Sequence, residues 1–174
     1  MVQSVLVAGL ARFIVLAFVC LLPVAAAAES LQHPSGKVIL TVSGNIQITN
    51  NNGVAEFDRA MLEGLGMTEL QTGTQWTTGR PVFEGVLAST LLEAVGAGGT
   101  TARAVALNDY VVDIPLADFR NYPVLLALKV DGHDMAVRDK GPIWVVYPHE
   151  QYEDLTAETF QSRWIWQLRS LEIQ

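Results

Sequence analysis

The sequence predicts a single α+β domain, on three observations. Short β-branched or apolar runs recur along it, two or three stretches carry apolar residues at helical spacing, and turn signals separate them with no repeat and no linker. The 174 residues suffice for one domain once a leader is set aside, and a hydrophobic content of 50% supplies ample core.

The elements follow in chain order. Residues 38–42 are β-branched and apolar, bounded by Ser43-Gly44, and predict a first strand. Asn50-Asn51-Asn52-Gly53 is a dense turn signal. Residues 57–65 place Phe57, Ala60, Met61 and Leu65 at helical spacing, with Asp58 early and Gly66 behind, and predict a short helix. Residues 68–76 are threonine-rich and predict a strand feeding a loop at 76–81. Residues 83–94 read as a loop and then a helix with Leu87, Thr90, Leu91 and Ala94 on one face, stopped by Gly96-Ala97-Gly98-Gly99. Residues 102–107 predict a buried strand running into Asn108-Asp109-Tyr110. Residues 111–116 alternate loosely through Pro115, and 116–120 form a turn or short helix. Residues 124–130 predict a strong apolar strand, closed by the hairpin turn Asp131-Gly132. A charged loop at 138–142 precedes a strand at 143–147. Trp164, Trp166 and Leu168 alternate with Gln167 and Arg169 and predict a final strand over 164–173.

The front of the chain differs in kind. Residues 1–28 carry no acid and one base, Arg12, followed by an apolar run, Pro23 and the small residues Ala25, Ala26, Ala27 and Ala28. This is the order of a cleavable export leader, and the run falls short of the roughly 20 residues that span a bilayer. The expected organisation is a signal peptide over 1–28, cleaved near Ala28, and one domain over 29–174 in the periplasm. The single cysteine, Cys20, lies in the leader behind Val19, where a lipid-modified cysteine calls for a small residue. Cleavage would leave no disulfide, thiolate ligand or thiol nucleophile.

The formal net charge is −7, and losing Arg12 makes the remainder one unit more acidic. Nucleic acid and anionic lipid are therefore poor partners. His33, His133 and His149 show no H-x-H or H-E-x-x-H spacing, so no protein-built metal site is expected. No Gly-x-Ser-x-Gly elbow is present, and Gly96-Ala97-Gly98-Gly99 follows a helix instead of opening one, which makes it a poor phosphate loop.

Three stretches, taken in order, resemble a known family. They are Thr74-Gln75-Trp76-Thr77 through Phe83-Glu84-Gly85-Val86 to Leu91-Leu92; Ala106-Leu107-Asn108-Asp109-Tyr110 with Ile114-Pro115-Leu116 and Asp118; and Leu126-Ala127, Asp131-Gly132 and residues 138–148, with Arg163-Trp164 near the end. Together they resemble the sulfite-oxidase-type molybdopterin-binding domain, and more closely a group of small exported bacterial proteins described as pterin-binding. The resemblance runs from Leu40 to Ile173. It departs at one point: the enzymes hold molybdenum through a cysteine thiolate before the aromatic-x-Gly motif, and here that loop reads Gln71-Thr72-Gly73-Thr74-Gln75-Trp76. Threonine and glutamine oxygens do not reproduce a soft thiolate site.

A pterin offers a flat π-face and an edge of adjacent N–H donors, which an aromatic ring, an acid and a base on adjoining loops would recognise. With the resemblance, the expected contacts are Trp76, Thr77, Asn108, Asp109, Tyr110, Arg138, Asp139, Lys140 and Trp144. Residue by residue the plainer readings are a strand-end turn for Asn108-Asp109, a solvated hairpin loop for Arg138-Asp139-Lys140, and core packing for Trp76, Trp164 and Trp166. The resemblance implies a pterin, oxidised or reduced, ahead of molybdopterin. It implies a binding protein that is not an enzyme and that presents its ligand state to the periplasmic domain of a membrane signalling protein, a histidine kinase or cyclic-di-GMP enzyme. The alternative is a molybdenum-cofactor oxidoreductase lacking the usual cysteine.

Overall fold

A computed structural model describes residues 31–156 and 158–174. The expected leader, with Cys20, lies outside the described residues.

Two hairpins and one late strand build the first sheet. Strands β1 (Val38–Gly44) and β2 (Ala55–Asp58) pair antiparallel, as do β5 (Thr101–Ala106) and β6 (Val111–Pro115). Strand β10 (Leu168–Ile173) enters between them, parallel to β1 with Thr41 opposite Ser170 and antiparallel to β5 with Leu171 opposite Ala104. The order is β2-β1-β10-β5-β6.

The second sheet is antiparallel. Its backbone is β3 (Thr68–Gln71), β4 (Val82–Leu87) and β7 (Leu125–Val130). The far edge of β7 is shared: residues 125–127 pair with β9 (Trp144–Val146), and Lys129 and Val130 pair with β8 (His133–Asp134) across the Asp131-Gly132 turn. β4 meets β7 with a register shift between Glu84 and Gly85. There the two backbones approach so closely that a Cβ on Gly85 would lie 2.1 Å from the Leu126 carbonyl oxygen. The aromatic-x-Gly motif is thus a packing requirement of this strand pair.

Three short helices, α1 (Arg59–Gly64), α2 (Ala88–Ala94) and α3 (Leu116–Asn121), follow directly on strands β2, β4 and β6. A fourth, α4 (Glu158–Gln161), precedes β10, and single 3-10 turns cover Val137–Asp139 and Glu153–Thr156. Both sheets feed one core, with Leu40, Val42, Leu168 and Leu171 from the first joined to Phe83, Val86, Leu126 and Leu128 from the second. The architecture is α+β, as the sequence predicts.

Three boundaries differ from expectation. Phe57 belongs to β2, because Asp58 caps α1 after it; its match to the helical spacing of Ala60 and Met61 is incidental. Phe83 lies in β4, paired with Leu70 on one side and Val130 on the other, where a loop was expected. The final strand begins at Leu168, so Trp164 and Trp166 stand on irregular chain, which Gln167 ends at a positive φ of 54°.

Asp58 ties the lead-in to the body. Its Oδ1 accepts the Met61 N–H at 2.9 Å, and its Oδ2 accepts the backbone N–H groups of Gly36 at 2.7 Å and Ser35 at 2.9 Å. These bonds, Met61 first, hold the carboxyl below the usual aspartate value. A depressed folded-state pKa gives stability that is present above the unfolded value and lost as pH falls through the folded one. Asp58→Ala is expected to lower Tm by roughly 3–8 °C at pH 7, the scale of a lost cap and its neighbours, and by less near pH 3. Thermal unfolding of both proteins at the two pH values checks it.

Candidate functional site

All four tryptophans meet. Trp76 comes from the loop after β3, Trp144 from β9, and Trp164 and Trp166 from the segment before β10. The Trp76 ring lies 6.1 Å from Trp144, 5.8 Å from Trp164 and 5.3 Å from Trp166, centroid to centroid. Phe83 supports Trp144 edge-on, Tyr147 stacks on Trp164, and the His149 ring meets Trp164 at 5.4 Å.

This cluster forms one side of a cavity of about 310 Å³ lined by Trp76, Ala106 at the end of β5, Asn108 and Tyr110 from the turn after it, and Gln161, Ser162, Trp164, Ile165 and Trp166. A smaller chamber of about 110 Å³ adjoins it across Trp76, Gln161 and Trp164, and adds Thr74, Gln75, His149 and Leu155. None of the nine residues around the larger cavity carries a formal charge. Aromatic faces, two amides and two hydroxyls are the chemistry on offer.

Each wall has its own fixing. In the turn after β5, the Asp109 N–H donates to the Ala106 carbonyl and Asp109 adopts φ 63°. Asn108 Oδ1 accepts the Tyr110 N–H at 3.2 Å, and the Tyr110 hydroxyl donates to the Ser162 carbonyl, joining two walls of the cavity. In the tryptophan loop, Thr74 Oγ1 accepts the Trp76 N–H and shares a 2.9 Å bond with Thr77 Oγ1. Arg80 Nε donates to Glu150 Oε2 at 2.8 Å and ties that loop to the chain after β9. Burial works to raise the Glu150 carboxyl, but Arg80 and the Gly73 N–H outweigh it and hold the group below its ordinary value. The third wall, 161–166, is anchored where the Val145 N–H donates to the Ile165 carbonyl and where Arg163 reaches Asp118.

The structure brings Trp76, Asn108 and Tyr110 together on the cavity. Thr77 stands one bond behind the smaller chamber through Thr74, and Trp144 backs Trp76 with its Nε1 buried and, among the described residues, unpartnered. The remaining expected contacts lie elsewhere. The positive φ of Asp109 turns its carboxylate out to Arg169 at 2.8 Å, with a side chain 80% exposed. Arg138 and Asp139 pair with each other at 3.2 Å in solvent, and the Arg138 side chain is 86% exposed. Lys140 places Nζ 5.2 Å from the Trp144 ring centroid, on the cluster but not on the cavity. Sequence reasoning passed over Gln161, Ser162 and Ile165, which sit at the end of the four-residue α4 and on the irregular chain beyond it. The clue was two tryptophans within three residues beside a polar Gln-Ser pair.

A family model described as "Oxidoreductase molybdopterin binding domain" matches residues 47–152. That stretch contains the tryptophan loop and the 106–110 turn, and stops short of the 161–166 wall. Among solved structures the chain is similar to "Crystal Structure of the Sulfane Dehydrogenase SoxCD from Paracoccus pantotrophus", at 18% identity and a TM-score of 0.54, over 77% of this chain. The match covers 37% of that chain, so the likeness is one of fold over part of a longer protein. No curated protein sequence matches.

Proposed function

The chain belongs to the oxidoreductase molybdopterin-binding domain family, and from that premise we propose that it binds a free pterin in the tryptophan-lined cavity without molybdenum redox chemistry. The observation that carries this reading is the charge-free aromatic lining of that cavity. Trp76, Trp164, Trp166 and Tyr110 supply faces for a flat ring. Asn108, Gln161 and Ser162 supply the neutral donors and acceptors that a ring edge needs, and leaving those edge groups unpaired would be costly.

The residues present do not fit the family's metal-bearing cofactor. The loop that would offer a thiolate offers threonine hydroxyls already bonded to one another and to the Trp76 N–H, and the sequence's one cysteine is Cys20. Among the described residues no lysine or arginine lines either chamber to neutralise a phosphate. The reading includes export to the periplasm, where the bound pterin's state is presented to a membrane signalling partner. For that, the ligand must favour one conformer of the protein's surface, since tight binding alone shifts nothing. A second reading, an oxidoreductase using molybdopterin without the usual cysteine, draws on the family model's own description.

Protein purified natively is expected to release a fluorescent pterin, identified by mass, with molybdenum well below one atom per chain. Stoichiometric molybdenum would establish the second reading instead. Because Asn108 and not Asp109 faces the cavity, Asn108→Ala is expected to weaken pterin binding roughly tenfold, the scale of one or two lost ring bonds, and Asp109→Ala by less than about twofold. Titration by tryptophan quenching compares them, and equal losses would argue against this placement.

A further inference from the structure

We propose that Asp118 and Arg163 act as positioning residues, a buried ionic clamp that fixes the 161–166 wall of the cavity and so sets its ligand affinity. Five of the nine lining residues lie within three positions of Arg163: Gln161, Ser162, Trp164, Ile165 and Trp166. None of them belongs to β10, so no sheet ladder holds this wall. Arg163 itself is not a lining residue. Its Nη1 donates to Asp118 Oδ2 at 2.7 Å, with side chains only 20% and 8% exposed.

The clamp has a third member. The Tyr147 hydroxyl donates to the same Oδ2 at 2.9 Å, and Tyr147 stacks on Trp164 with rings 29° from parallel. Asp118 thus joins α3, the chain after β9 and the cavity wall at one oxygen. The Arg163 guanidinium also lies over the Phe160 ring at 4.7 Å, and Phe160 packs on Tyr147. A buried pair of this kind holds geometry because each partner is costly to leave alone. A wall on irregular chain loses its fit when such support is removed.

The inference rests on the pterin reading for its affinity term but not for its structural one. Arg163→Met, Asp118→Asn and the conservative Arg163→Lys are compared with wild type and with Asp58→Ala, a destabilised control at the far, β2 edge of the first sheet. The probe is 2-amino-4-oxopteridine and its tetrahydro form, titrated by tryptophan quenching. Near-UV circular dichroism of the tryptophan cluster is read without ligand. Arg163→Met is expected to weaken probe binding about tenfold or more and to lower the tryptophan dichroism, Arg163→Lys to recover most of both, and Asp58→Ala to leave both unchanged at a similar loss of Tm. Unchanged dichroism in Arg163→Met and Asp118→Asn, or affinity that follows Tm alike in all variants, would overturn the clamp. If wild type binds neither probe, the pterin reading fails, and the dichroism alone decides the clamp.

Discussion

Trp76→Ala is expected to raise the Kd for a bound pterin by about two orders of magnitude, or roughly 2.7 kcal/mol. Trp76 lines both chambers and is the ring on which the other three tryptophans converge. Truncation removes a stacking face and also releases Trp164 and Trp166 from a shared contact. Central, well-packed aromatic anchors carry a disproportionate share of binding energy. Trp76→Phe, which keeps a smaller face, is expected to lose tenfold or less. Tryptophan quenching or calorimetry gives both numbers, and wild-type affinity in Trp76→Ala would remove the cavity from consideration as the ligand site.

The largest loss of stability is expected from Gly85→Ala. The added Cβ would stand 2.1 Å from the Leu126 carbonyl oxygen and 2.7 Å from the Ala127 Cα, both backbone atoms of a central strand. Neither can rotate away, so β4 and β7 must separate. Overpacking against mobile side chains costs about 1–3 kcal/mol, and a backbone obstruction belongs at or beyond that upper end. A fall in Tm of roughly 6–12 °C follows for a domain of this size. Gly132→Ala is the comparison: a Cβ there meets nothing within 4 Å, and only the positive φ of 76° opposes it. Its cost should be about 1 kcal/mol. Urea unfolding of the two variants separates obstruction from conformational preference, and equal losses would refute the obstruction.

How much of this was legible in the sequence depends on what set each feature. Strands fixed by burial were readable: β1, β5 and β7 are rich in Val, Ile, Leu and Ala, and it is these residues that reach the core. Boundaries set by one hydrogen bond were not, as at Asp58, where a side-chain cap overrides an apolar spacing that continues through Phe57. The cavity was half legible. Trp76, Asn108 and Tyr110 lie in stretches that carry the family resemblance, and Thr77 and Trp144 stand just behind. Asp109 was the natural acid for a pterin edge by residue type alone, and only its left-handed backbone sends the carboxylate to Arg169. The charges of Arg138 and Asp139 were conspicuous in sequence and satisfy each other in solvent. The 161–166 wall was masked by a misleading period, since Trp164 and Trp166 alternate as a strand would yet precede β10, and its placement depends on the long-range pair Asp118–Arg163.

The central position of β10 bears on when the domain can exist at all. Hairpins β1-β2 and β5-β6 can each form as soon as they are made, but they share no edge until residues 168–173 arrive to join them. Synthesis therefore yields nearly the whole domain before its first sheet can close. Contacts between residues more than 120 positions apart make that closure slow relative to hairpin formation. A chain that stays open until its last strand emerges keeps two unpaired edges on display, which is a hazard in a crowded cytoplasm. The same delay would suit the proposed export, because a polypeptide threaded through a narrow translocation channel must not have finished folding before it gets there.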